Sequence, residues 1–86
     1  MANLHLTVLT PKQTVFKGDV HYIQLPGKEG YFGVLPNHSP FFAALKKGII
    51  KVKAENKEFK IESFDGFAAV FDNQVVVLVD KSSSPQ

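Results

Sequence analysis

The sequence predicts an all-β domain, a β-sandwich or small barrel of about eight short strands. Three observations predict it. Apolar residues recur at every second position rather than every third or fourth. β-Branched and aromatic residues gather in short runs. Turn-forming residues punctuate the chain roughly every eight to twelve positions.

The elements follow in order. Leu4, Leu6 and Val8 alternate with His5 and Thr7, so "LHLTV" reads as a strand with one buried face, closed by Thr10-Pro11. "TVFKG" is a second short segment. "DVHYIQL" is a third strand, expected to stop at Pro26 because proline has no N–H for a ladder. "SPFFAALKKG" is the only stretch with any helical character, and it precedes a clear hairpin, "GIIKVKAENKEFKIESF". With Asn56 and Lys57 at the hairpin tip, Val52 faces Ile61, Lys51 faces Glu62 and Ile49 faces Phe64, while Lys53 meets Lys60. A one-residue slip would put Val52 against Lys60. "GFAAVFDNQVVVLVD" is the last hairpin, turning at Asp72-Asn73, two residues that tolerate positive φ. Its alternation fails: Phe67, Ala69 and Phe71 line one face, Ala68 and Val70 the other, and Val75 to Val79 are apolar throughout. Strands apolar on both sides are covered on both sides, so one face needs something beyond the opposing sheet.

A chain of 86 residues makes one domain, expected over residues 1–81, with 82–86 as a frayed tail. Without cysteine there is neither a disulfide framework nor a thiolate metal site, which fits a reducing compartment. "MANLHLTVLT" lacks an export signal and no apolar run reaches the roughly 20 residues of a membrane span, so a cytoplasmic, soluble location is expected. Ten lysines against eight acids leave a net charge of only +2, and no arginine is present for bidentate contacts, which argues against nucleic-acid binding. The charges are uneven. Lys46 to Lys60 holds six lysines and two glutamates; Ile61 to Asp80 holds four acids and no base. Solvated strand faces explain this, as does a field that steers a partner.

"LPGKEGYFGVLPNHSPFF", Leu25 to Phe42, concentrates glycine, proline and aromatic residues. Gly27, Gly30 and Gly33 follow a strand, but no P-loop lysine and no helix start accompany them, so a phosphate cradle is disfavoured and positive-φ turns suit Gly27 and Gly30. His5, His21 and His38 with Asp19 and Glu29 match no ligand spacing, and Ser39 and Ser63 lack a nucleophile-elbow context. No catalytic residue, metal site or cofactor is expected. Phe32, Phe41 and Phe42 beside Pro36 and Pro40 either plug the core or form an apolar patch for a protein partner. A free-standing ligand-binding sandwich, with Tyr22, Tyr31 and Phe32 as platform, is the competing reading.

The ordered series from "TVLTPKQTVFKG" through "LPGKEGYFGVLPNHSPFF" and "LKKGIIKV" to "GFAAVF" resembles the N-terminal domain of the epsilon subunit of bacterial and chloroplast F-type ATP synthase, over Leu4 to Asp80. The resemblance implies a flattened sandwich of about ten strands, giving an overall expectation of eight to ten. It implies a non-catalytic rotor subunit of the central stalk that couples gamma to the c-ring beneath the alpha3beta3 part, peripheral on the cytoplasmic face of an inner or photosynthetic membrane. On that mapping Gly27, Lys28, Glu29, Gly30 and Tyr31 face the c-ring, and Thr10, His38 and Ala43 lie towards gamma. Tyr31 departs from the acidic or polar residue such a subunit would carry there. The typical subunit also continues into two helices that restrain hydrolysis or bind ATP; with the sequence ending at Gln86, both activities are expected to be missing.

Overall fold

The computed structural model describes residues 3–83. Nine strands form one continuously hydrogen-bonded sheet: β1 (Leu4–Leu9), β2 (Thr14–Val20), β3 (Tyr22–Gly27), β4 (Gly30–Val34), β5 (Phe41–Leu45), β6 (Gly48–Ala54), β7 (Lys57–Ser63), β8 (Gly66–Phe71) and β9 (Gln74–Val79). Their order is β2-β1-β9-β8-β5-β3-β6-β7, with β4 on β3. The sheet curls at β5 and β6, which both run antiparallel to β3. The chain from Phe41 to Ala54 therefore acts as one long strand that bends at Lys46-Lys47 and passes from one layer to the other. Layer one is β2-β1-β9-β8-β5 and layer two is β4-β3-β6-β7. On the opposite side, the His21 N–H donates to the Lys53 carbonyl at 2.7 Å and ties the end of β2 to β6.

The core fills the space between the layers. Leu4, Leu6 and Val8 from β1 meet Val75, Val77 and Val79 from β9, and Ile23, Leu25, Ile50, Val52 and Ile61 close it from layer two. Alternation places them: β1 reads buried, half-buried, buried along its length, and β7 buries Phe59, Ile61 and Ser63 in turn. The buried Ser63 hydroxyl donates to the Gly48 carbonyl at 3.4 Å, which satisfies it without water.

Four expectations shift. Pro26 lies inside β3 instead of ending it, paired with Tyr31. Its carbonyl accepts the Lys46 N–H at 2.9 Å, and a strand residue's N–H and C=O point to the same side, so the absent N–H falls at the β5–β6 bend, where the ladder changes partner. "FFAAL" is strand β5, held by five pairs to β8, rather than a helix.

The β6–β7 register is the third shift. Val52 pairs with Phe59, Ile50 with Ile61, Lys51 with Lys60 and Lys53 with Glu58, two residues away from the expected pairing. The loop is Glu55-Asn56, with Asn56 in the positive-φ region at 64°. A two-residue slip keeps every side chain on its face, so hydrophobic alternation is blind to it.

The fourth is the tail. Ser82 bridges Ser63, and the Ser83 N–H donates to the Glu62 carbonyl at 2.8 Å, so the chain past β9 stays on the edge of β7. The remainder of the expected tail, residues 84–86, lies outside the described residues.

Candidate functional site

The last hairpin has the turn expected of it. Asp72 and Asn73 adopt φ of 47° and 60°, and the flanking pair is Phe71 with Gln74. Register then sorts its two apolar faces. Ala68, Val70, Val75 and Val77 point into the core, while Phe67, Ala69, Phe71, Val76 and Leu78 point outward. Strand β5 continues the outward face through Phe42, whose ring stacks on Phe67 at 5.6 Å between centroids and 16° between planes. Phe42 is 68% exposed, Phe67 51% and Leu78 48%. Across β1 the face runs on to Leu9, opposite Leu78. Layer one thus carries a contiguous apolar surface that its own core does not cover, of the kind that marks a protein interface. Of the two apolar faces that the sequence left open, the one carrying Ala68 and Val77 is the core side.

The β3–β4 hairpin supplies the second feature. Gly27 pairs with Gly30, leaving Lys28 and Glu29 exposed as a two-residue tip, and the Lys28 N–H donates to the Ala44 carbonyl at 3.0 Å, fastening the tip to β5. Only Gly30 takes a positive φ, 132°. Gly27 is required for a different reason from the one expected: a Cβ there would stand 2.7 Å from the Gly30 carbonyl oxygen and 2.9 Å from the Phe32 ring. Tyr31 turns away from the tip. Its hydroxyl accepts the Ile49 N–H at 3.1 Å, on the outer face of layer two.

The other singled-out residues are dispersed. Thr10 closes β1 with an ST turn, its Oγ1 accepting the Lys12 and Gln13 N–H groups. His38 lies at the opposite end of layer one, its Nδ1–H donating to the Ser39 carbonyl at 2.7 Å and its ring meeting the edge of Phe41 at 6.0 Å. Ala43 pairs with Ala68 in the middle of β5. Thr10 and His38 therefore bracket the apolar face end to end, whereas Ala43, opposite core-facing Ala68, lies on the inner side of β5 rather than on that face. His5 contacts Asp19 at 3.0 Å across the β1–β2 ladder, His21 sits at the corner between β2 and β3, and Glu29 is at the hairpin tip, so His5, His21 and Glu29 occupy three separate places. The aromatic platform is also split: Tyr22 and Tyr31 lie outside layer two, and Phe32 packs against the core.

One polar clamp was not foreseen. The Asn37 N–H donates to Asn73 Oδ1 at 2.6 Å, and Asn73 Nδ2 donates to Asn37 Oδ1 at 3.3 Å. It ties the loop that carries His38 to the β8–β9 turn, and both residues take positive φ. No spacing signal joins positions 36 residues apart. Asn73→Gly keeps the turn and loses the clamp; Asn73→Ala loses the clamp and strains the turn. In urea unfolding, the glycine variant is expected to lose about 1 kcal/mol and the alanine variant about 1 kcal/mol more.

The family model described as "ATP synthase, Delta/Epsilon chain, beta-sandwich domain" matches residues 3–84. The chain belongs to this family. Among its relatives, the ATP synthase epsilon chain of Campylobacter curvus is 44% identical over 81 residues, covering 93% of this chain and 63% of that protein. The ATP synthase epsilon chain of Pelotomaculum thermopropionicum is 44% identical over 75 residues, covering 87% and 56%. Of solved structures, a chain of the Euglena gracilis mitochondrial ATP synthase (OSCP/F1/c-ring) superposes with a TM-score of 0.90 at 28% identity, over 99% of this chain and 54% of that one. A chain from the Tetrahymena thermophila mitochondrial ATP synthase central stalk and c-ring shares the fold, with a TM-score of 0.79 at 16% identity over 94% of this chain and 66% of that one. The chain thus spans about three fifths of the length of the curated relatives it matches. The curled nine-stranded sheet is of the β-sandwich kind that the family model describes, and the outer apolar face of layer one is left uncovered by this chain's own core.

Proposed function

We propose that this chain is a non-catalytic central-stalk subunit of an F-type ATP synthase, a rotor part that couples the gamma subunit to the c-ring during ion-driven ATP synthesis. It sits beneath the alpha3beta3 part and is peripheral to the membrane on its cytoplasmic face. The apolar outer face of layer one carries the reading, because a sheet whose inner side already forms a full core has a second apolar side that only another protein would cover. Gamma is assigned to that face, with Thr10 and His38 at its two ends and Ala43 on its bordering strand. The Gly27–Tyr31 hairpin is assigned to the c-ring. Lys28 and Glu29 are its exposed tip residues, and Tyr31 contributes by bracing the hairpin through its hydroxyl on Ile49 rather than by pointing at the ring. Epsilon-chain relatives at 44% identity and the match to a chain from an F1/c-ring assembly support the assignment. The filled interior and the split aromatic platform favour it over a ligand-binding sandwich.

Co-purification tests it in two parts. The chain is expected to co-purify with gamma and the c-ring, and membranes lacking it are expected to lose ATP synthesis driven by ion flow. Lys28→Glu is expected to weaken retention on purified c-ring several-fold and capture by gamma much less, since the tip borders the apolar face beside Phe42 and Phe67 without contributing apolar surface to it. Equal loss of both interactions would refute the division of the two surfaces.

A further inference from the structure

Among the described residues, β2, β7 and β4 each have one edge without a neighbouring strand. Such an edge is a row of backbone N–H and C=O groups that another chain can pair with, unless something guards it. β2 is guarded by Lys17 and Asp19, by the register shift that leaves Val15 unpaired on β1, and by the His21 N–H bonded to the Lys53 carbonyl just past its end. β7 carries Lys57, Glu58, Lys60 and Glu62, and the segment after β9 already occupies its edge at Glu62 and Phe64. β4 reads Gly-Tyr-Phe-Gly-Val, with no charge, no proline and no bulge in its five pairs to β3.

Strand geometry identifies the free groups of β4. The Pro26 carbonyl accepts the Lys46 N–H on the side of β3 away from β4. Alternate residues bond to opposite sides, so Ile23, Leu25 and Gly27 hold β4 through Val34, Phe32 and Gly30. The N–H and C=O groups of Tyr31 and Gly33 therefore point outward; Tyr31 is half exposed and Gly33 exposed. Beside this edge a cleft of about 280 Å³, lined by Phe32, Phe41, Phe42 and Ala43, runs between β4 and β5. It ends at Phe42, on the apolar outer face of layer one.

We infer that the free edge of β4 takes an extended segment of gamma, which adds one strand to layer two through main-chain hydrogen bonds. The inference rests on the rotor reading, which gives gamma the outer face of layer one. Continuity selects the occupant: a protein seated on Phe42 and Phe67 reaches Tyr31 and Gly33 across the cleft, round the side of the sandwich. Side chains of the added strand alternate between the cleft, where an apolar residue meets Phe32 and Ala43, and the outer surface of layer two beside Tyr31. Ala43 thereby meets gamma although it lies off the outer face.

Amide hydrogen exchange on the full chain, free and bound to gamma, is the test. The Tyr31 and Gly33 amides are expected to exchange fast in the free chain and at least roughly tenfold more slowly in the complex, while Glu58 and Lys60, which point outward from the guarded edge of β7, stay fast. Gly33→Pro removes one outward N–H and no ladder bond. It is built on Tyr22→Ala, because a Cβ at position 33 would stand 2.5 Å from the Tyr22 hydroxyl. Relative to Tyr22→Ala alone it is expected to weaken gamma binding about tenfold, the worth of one interfacial hydrogen bond left unmade, whereas Lys60→Pro, the same lesion on β7, leaves binding unchanged. Fast exchange at Tyr31 and Gly33 in a formed complex, equal weakening by the two prolines, protection conferred by c-ring alone, or protection that appears in the free chain as its concentration is raised would each overturn the inference. Failure to form any gamma complex refutes the rotor reading and the inference with it; a complex without protection refutes only the β4 contact.

Discussion

Phe67→Asp is expected to weaken gamma binding by roughly thirtyfold or more while the domain still folds. Phe67 stands half-exposed on the outward face of β8, stacked on Phe42 and not among the residues that form the core. Loss of the stacking and of a good strand residue costs about 1 kcal/mol of stability. A buried aromatic anchor at an interface is worth about 2 kcal/mol or more, and a carboxylate in its place must also be desolvated on docking. Titrating gamma against wild type and variant, with sheet circular dichroism as the folding control, gives the answer. Unchanged affinity with an intact fold would remove gamma from this face.

Ala68→Asp, one residue along, is expected to abolish folding. Ala68 is 1% exposed and lies against the core beside Val77, its partner in β9. An unpaired carboxylate there costs several kcal/mol even after its proton uptake is allowed for. A domain of this size has only about 4–13 kcal/mol to lose at the usual stability per residue. Circular dichroism and urea unfolding are expected to show an unfolded or barely folded chain. A folded Ala68→Asp variant that had merely lost gamma would show that the two faces of β8 had been assigned the wrong way round. The two substitutions introduce the same charge at adjacent positions, and the two-residue period of a strand makes one a binding lesion and the other a folding lesion.

Much of this could be read from the residues, and the particulars show why. Most of the expected strands form, because alternation and β-branched content act locally, but the expected strand over Asp19–Leu25 divides at His21, its first two residues ending β2 and the rest forming β3, and β4 was not foreseen; the Asp72-Asn73 turn is right because few residues accept positive φ at both positions. The doubly apolar last hairpin pointed to an outside partner before any fold was known. The β6–β7 register was not legible. Val52 opposite Phe59 and Val52 opposite Ile61 both place apolar on apolar, and a positive φ at Asn56 suits a turn in either register, so nothing local separates them. Pro26 was misread because a proline's cost depends on whether anything sits opposite its missing N–H, and that is decided by the β5–β6 bend some 20 residues later in the chain. The Asn37–Asn73 clamp and the division of Thr10, His38 and Ala43 along layer one depend on long-range pairing in the same way.

The sequence by itself determined the strand class, the turn chemistry, the family resemblance from Leu4 to Asp80, and the presence of more apolar surface than one core can use. Those properties live in local preference and period, which each segment carries wherever it is placed. Only the tertiary structure decided that β1 lies parallel beside β9, that Ala68 and Val77 face in while Phe67 and Leu78 face out, and that four lysine-bearing connections share one end of the sandwich. Each of these is a relation between distant segments. Its energy comes from burial and hydrogen bonds that exist only after the sheet has curled and closed.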